Sequence, residues 1–371
     1  MSGPLPRIYA FDWLRGVAVL VMLQTHALVL LLPEIHKTAF FTRLVAIDGL
    51  VAPSFIFSAG FALALVQVRA GLAGRREEQA KKTLKRIGEV LLVASFINFI
   101  WFPIWREPKW LLRIDILHCI GLSLLLVMPF LVGLSTRPRL LRWVTLILAL
   151  VIFGVSPYGE QVTGFWTLFL NTKTGWLDAT TGAAFPLLPW AGYVFLGASF
   201  GATIGAMKSE KELWAWLALL LGIGAVLVWQ AQAVSAIYPP HNFWVTDPAD
   251  AARRWLQVLS LVAVFRLIEM KWPASAQTRV MKWLAAFGGA SLSAYFFHQM
   301  LLYQRFVGVF TRFFREKADW PLYWVLVVAL IAATWVCVQA WDRVEKRLRR
   351  RAAPHPNPLP AAHAAQGEGE R

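Results

Sequence analysis

The sequence predicts an all-α polytopic membrane protein of about ten transmembrane helices with both termini cytoplasmic, and three observations carry this. Hydrophobic residues make up 58% of the 371, whereas charged ones reach only 16%, against the roughly 25% usual in a soluble domain. Apolar runs recur along the chain, each near the roughly 20 residues that a helix needs to cross a bilayer core. These runs do not alternate apolar with polar residues, which excludes an outer-membrane barrel.

The elements follow in order. Phe11–Leu32 is the first span; it holds Asp12 and Arg15 and lacks a small-residue cleavage site, so it stays in the membrane rather than serving as a signal peptide. Asp48–Val68 and Ile87–Trp105 flank a basic segment, and Ile114–Leu134 follows with Asp115 and His118 at its entry. Leu140–Val155 is short; Ala183–Met207 and Leu213–Ala231 are full length. Trp255–Met270 is again short, and Val280–Tyr303 and Trp320–Trp341 complete the set. The domain reading is a transmembrane unit over 1–350 and a disordered cytoplasmic tail over 351–371, rich in Pro and Ala, whose His355 and His363 have no assigned role.

Charge sets the orientation. Arg69, Arg75, Arg76, Lys81, Lys82, Lys85 and Arg86 lie after span two, Arg137, Arg139 and Arg142 after span four, and Arg343, Lys346, Arg347, Arg349, Arg350 and Arg351 after span ten. With ten crossings all three clusters face the N-terminal side, which the positive-inside rule makes cytoplasmic. Arg305, Arg312, Arg315 and Lys317 oppose this and are outvoted. The net charge of +16 therefore reads as cytoplasmic loops and contacts with membrane lipid; no nucleic-acid motif accompanies it. Cys119 and Cys337 both sit in apolar runs, so neither a disulfide framework nor a metal site is expected.

Ionisable groups at bilayer depth are costly, about 2.5–3.5 kcal/mol each even on insertion scales, so they point to function. Asp12 and Arg15 are three apart and share a helix face. Arg15 and His26 lie almost three turns apart on that stripe, about 16 Å along the axis. Asp48 opens span two, Asp115 and His118 open span four, and Ser291, Ser293, Tyr295, His298 and Gln299 lie on span nine. His36 and His241 belong to outer loops, of which 157–181 and 235–254 are the long ones, carrying Trp166, Trp176 and Trp244. Singly, such histidines are satisfied core or surface groups. Threaded through ten spans, all five outside the tail fall in the outer half, which predicts a polar chamber there. Imidazole suits it, because it exchanges protons near neutrality and a carboxylate neighbour can fix its tautomer.

The opening Arg7-x4-Asp12-x-Leu14-Arg15-Gly16, ending in His26, resembles the heparan-α-glucosaminide N-acetyltransferase family and the related membrane acyltransferases with an Arg-x10-His motif. Asp48-Gly49-Leu50-Val51-Ala52-Pro53-Ser54-Phe55, Asp115-x2-His118-Cys119-Ile120-Gly121, Phe185-Pro186-Leu187-Leu188-Pro189-Trp190 and Ser291-Leu292-x2-Tyr295-x2-His298 continue the resemblance over most of 7–300. It implies transfer of an acetyl group from cytoplasmic acetyl-CoA, as co-substrate and without a metal, to an acceptor across the membrane, commonly a sugar. It implies a homodimer, and the expected location is a bacterial inner membrane. Carried over by position, His26 matches the Arg-x10-His histidine, with Asp12 and Arg15 on the acyl-CoA side. The heparan enzymes place Asn at that spacing and their histidine about eleven residues later, where His36 is the nearest counterpart; the catalytic group is therefore His26 or His36, with Asp48 as orienter and Asp115, His118 and His298 toward the acceptor. The competing reading is a proton-coupled transporter or flippase with a histidine-lined chamber, against which stands the lack of an internal repeat. A catalytically dead scaffold on the same fold is the third.

Overall fold

Helix α1 (Ala10–Ala27) opens a chain that is helical almost throughout. The computed structural model describes residues 8–101, 105–171, 181–303 and 307–352. Arg7, Trp176, Arg305, His355 and His363, and nearly all of the expected tail, lie outside them. After α1 come α2 (Ala39–Asp48), α3 (Val51–Leu72), α4 (Arg76–Trp101), α5 (Ile116–Leu134), α6 (Pro138–Gly159) and the short α7 (Thr167–Leu170). Then follow α8 (Leu187–Ala206), α9 (Glu210–Trp229), α10 (Ala231–Ala236), α11 (Phe243–Thr246), α12 (Pro248–Lys271), α13 (Arg279–Gly289), α14 (Ser291–Leu302), α15 (Val309–Phe314) and α16 (Trp320–Ala352).

Seven stretches are long and apolar enough to cross a membrane: 10–30, 39–72, 116–134, 138–159, 187–206, 210–229 and 320–348. The protein is thus an all-α integral membrane protein, with no named strand among the described residues. The other three expected spans correspond to α4, α12 and the α13–α14 pair. Each departs from a uniform apolar rod for a visible reason: α4 begins with Arg76, Glu77, Glu78, Lys81 and Lys82, α12 carries Asp250, Arg253, Arg254, Arg266 and Glu269, and α13–α14 breaks at Ala290.

Local chemistry fixes the helix starts. Thr38 accepts from Phe41 N (3.3 Å) ahead of α2, Asp247 from Ala249 N (2.7 Å) ahead of Pro248 in α12, and Thr278 from Met281 N (3.3 Å) ahead of α13. Each cap satisfies a backbone N–H that would otherwise go unpaired.

Packing is closest where glycine removes the side chain. A Cβ on Gly60 of α3 would collide with the Val194 carbonyl, and one on Gly197 or Gly201 of α8 would strike the carbonyls of Phe57 or Phe61. The two backbones therefore touch, as in small-residue crossings of membrane helices. Gly16 plays the same part in α1, where α13 brings the Leu284 carbonyl against it. The motif glycine beside Arg15 thus has a packing reason. One large core gathers side chains of α3, α5, α6, α8, α9 and α12; a second joins the end of α1 to α4, α14 and α16. Backbone bonds tie the connecting segments at one end of the bundle: Ala318 N to Leu30 O (2.9 Å) and Ala184 N to Ile114 O (2.9 Å).

Candidate active site

Three helices meet at that stitched end of the bundle: the last turn of α1, the middle of α14 and the first turn of α5. His26 reaches α14, and its Nδ1 lies 2.6 Å from His298 Nε2, the rings stacked at 19° with centroids 4.9 Å apart. The Gln299 side-chain amide lies 3.1 Å from each of these nitrogens. His298 is wholly buried, whereas His26 keeps partial exposure.

The proton between the rings can be placed by elimination. His298 Nδ1 lies 2.9 Å from the Ala294 carbonyl, which only accepts, so Nδ1 carries the hydrogen. A neutral His298 then offers its Nε2 lone pair, and His26 Nδ1 must be the donor across the short bond. His26 Nε2 is left bare. The more accessible ring is therefore held as a base by the buried one.

The second half of the cluster comes from α5. Asp115 caps the helix, its carboxylate accepting from Ile116 N (2.8 Å), while Asp115 N donates to His118 Nδ1 (3.4 Å). His118 Nε2 faces Ser95 Oγ of α4 at 3.4 Å. The three-residue spacing read from the sequence is thus a reciprocal capping box. The box joins the histidine pair through Tyr295, whose hydroxyl donates to Asp115 Oδ2 (3.4 Å) and whose ring lies 5.4 Å from that of His298 and 6.5 Å from that of His26.

Asp48 closes the α2 side. It is 7% exposed, adjoins Gln24 and Thr25 of α1, and neither carboxylate oxygen has a partner of ordinary hydrogen-bond geometry among the described residues. Gln24 instead donates to Tyr323 Oη (2.8 Å), which donates to the Gln24 carbonyl (2.9 Å). Tyr303 secures the end of α1 by donating to the His26 carbonyl (2.8 Å).

Of the residues singled out in the sequence, His26, His298, Asp115, His118 and Asp48 gather here. His36 does not: it is exposed on the turn Pro33–Lys37 and stacks on Phe41 at 4.6 Å. Asp12 and Arg15 lie in the first turns of α1, half-buried beside Gly288 of α13 and far from the histidines. His241 belongs to a different cluster, with Nε2 2.8 Å from Asp247 Oδ2 and Nδ1 2.8 Å from the Pro239 carbonyl. Partial burial opposes protonation of His241, but the Asp247 carboxylate and the Pro239 carbonyl outweigh it and hold its pKa above the ordinary value. Tyr323, Tyr303 and Ser95 were not singled out; a lone tyrosine near the start of the apolar Trp320–Trp341 run was the available signal for the first. No group of three His, Cys, Asp or Glu side chains able to hold a metal occurs among the described residues.

A helical membrane protein with a paired-imidazole cluster at one end of its bundle defines the class. The family model described as heparan-alpha-glucosaminide N-acetyltransferase, catalytic, matches residues 7–243, more than half of the chain. The chain belongs to that family and is an acetyltransferase of the membrane. A family described as a protein of unknown function (DUF418) matches residues 201–347. Among the curated proteins nothing matches. His26, Asp48, Asp115 and His118 fall within the first match, and Tyr295, His298 and Gln299 within the second.

Proposed function

We propose that the protein moves an acetyl group from cytoplasmic acetyl-CoA to a hydroxyl or amine of an extracytoplasmic acceptor, a sugar, in a bacterial inner membrane. In this reading the chain crosses ten times and both termini are cytoplasmic, so the histidine cluster faces away from the cytoplasm and the first turns of α1 face the donor. The observation that carries it is the 2.6 Å bond between His26 and His298 in a chain of this family.

His26 Nε2 takes the proton of the acceptor hydroxyl or amine as its oxygen or nitrogen attacks the thioester carbon. The carbon–sulfur bond breaks, and the same imidazole returns the proton to the departing sulfur. As charge develops on His26, His298 Nε2 steadies it by accepting from Nδ1. A transient acyl-imidazole on His26 Nε2 uses the same geometry, with the sulfur leaving first and the acceptor attacking second. The Asp48 oxygens, buried and without partners among the described residues, fit the hydroxyl or amine donors of an acceptor. Acetyl-CoA supplies the activated acyl group, and Arg15 and Asp12 flank its entry from the cytoplasmic side.

The test is transfer of label from radioactive acetyl-CoA into the glycan fraction of envelope vesicles, with and without the protein. Protein-dependent label that disappears in His26→Ala supports the reading. Full transfer by His26→Ala in well-folded protein overturns the role of His26, and no protein-dependent label in any envelope fraction overturns the activity.

A further inference from the structure

At the opposite end of the bundle, α3, α6, α8 and the start of α9 line a half-open cavity of about 500 Å³. Arg137, Arg139, Arg142 and Lys208 line it, with Glu212 as its single acid. Of these cations, none forms an ion pair among the described residues, whereas Arg266 at the same end is paired with both Glu210 and Glu269. Arg142 is held in place: its guanidinium lies 4.9 Å from the Trp216 ring centroid, its carbonyl accepts from Ser199 Oγ (2.8 Å), and its Nε is buried without a partner. A fixed, uncompensated cation at a cavity wall calls for an anion.

The rest of the lining identifies which kind. Leu72 and Leu140, exposed by 55% and 46%, share the lining with Pro138, Ala202 and Ala206. Exposed leucines beside arginines mark the border between acyl chains and headgroups, so the occupant has an anionic head and an apolar body. No residue of α1 or α14 lines the cavity. Along α8 it stands roughly 24 Å from the Pro186 carbonyl that faces Cys119, so it is separate from the histidine cluster.

We infer that this cavity is a binding site for the phosphate headgroup of an anionic phospholipid, gripped by Arg137, Arg139, Arg142 and Lys208. Native mass spectrometry of the full chain, released from micelles holding equal dioleoyl phosphatidylglycerol and dioleoyl phosphatidylcholine, reads it directly. The expected result is retained phosphatidylglycerol, reduced on the order of tenfold or more by Arg137→Gln/Arg139→Gln/Lys208→Gln, with phosphatidylcholine unchanged. Glu212→Gln is expected to increase retention of phosphatidylglycerol, a gain that misfolding cannot produce. Equal retention by the triple variant and the wild type overturns the site. Displacement of the lipid by excess adenosine 3′,5′-diphosphate assigns the cavity to a soluble phosphate and overturns the lipid.

Discussion

Replacing His298 by glutamine separates holding the base from being the base. The variant keeps a polar group on α14 but removes the ring nitrogen that accepts from His26 Nδ1 at 2.6 Å. Losing that acceptor costs about 1–3 kcal/mol, or roughly 5- to 150-fold in kcat/KM if the bond is strongest when His26 carries the proton. His26→Gln removes the base itself and costs about 10²- to 10⁴-fold. Because the two rings act as a unit, the double variant is expected to be no slower than His26→Gln alone. The assay is initial rate of label transfer from acetyl-CoA to envelope glycan, with each protein purified and its thermal unfolding recorded as a folding control. Multiplicative losses in the double variant, or a His298→Gln enzyme as fast as wild type, would falsify the holding role.

Four further outcomes follow from the geometry. His36→Ala is expected to stay within about twofold of wild-type rate in the same assay, since His36 is exposed and its stacking on Phe41 is a surface contact. Asp48→Asn is expected to raise the acceptor KM about tenfold or more with little change in kcat, as befits loss of a charged hydrogen-bond acceptor; a changed kcat at constant KM would contradict this. Gly201→Leu drives a side chain into the Phe61 carbonyl and should cost more than the roughly 1–3 kcal/mol of ordinary overpacking, read as a lower unfolding temperature in detergent. The raised pKa of His241 predicts pH dependence in the 231–248 segment. Its contribution is complete below the ordinary histidine value and is lost as pH rises through the raised one. Hydrogen exchange of that segment should therefore accelerate with pH beyond its intrinsic rate, and His241→Gln should remove the excess.

Composition and apolar run length revealed the helical class because bilayer thickness dictates both. Start sites were less legible. Helix α4 begins at Arg76 rather than near Ile87, and α16 continues past Trp341 to Ala352, because helices project into water where hydropathy no longer marks them. Helix α2 was missed, since Ala39–Asp48 is an apolar and mostly exposed stretch of ten residues, too short to cross a bilayer, ahead of the span read from Asp48. The convergence of His26 with His298 was inferable from topology: both lie late on helices rising from the same side. What the sequence could not supply was register. That Asp115 meets His298 through Tyr295 depends on helix rotation and on a contact across 180 residues, whereas His241 pairs elsewhere with Asp247, six residues along the chain.

The bare contact between α3 and α8 has a mechanical result. With carbonyls of one backbone lodged where the other has no side chain, no rotamer change can absorb sliding, and the two behave as a single strut. One end of that strut carries the Pro186 carbonyl against Cys119, the residue after His118; the other supplies Ala202 and Ala206 to the arginine-lined cavity. Displacement of one end is therefore passed along both backbones rather than taken up by side-chain repacking.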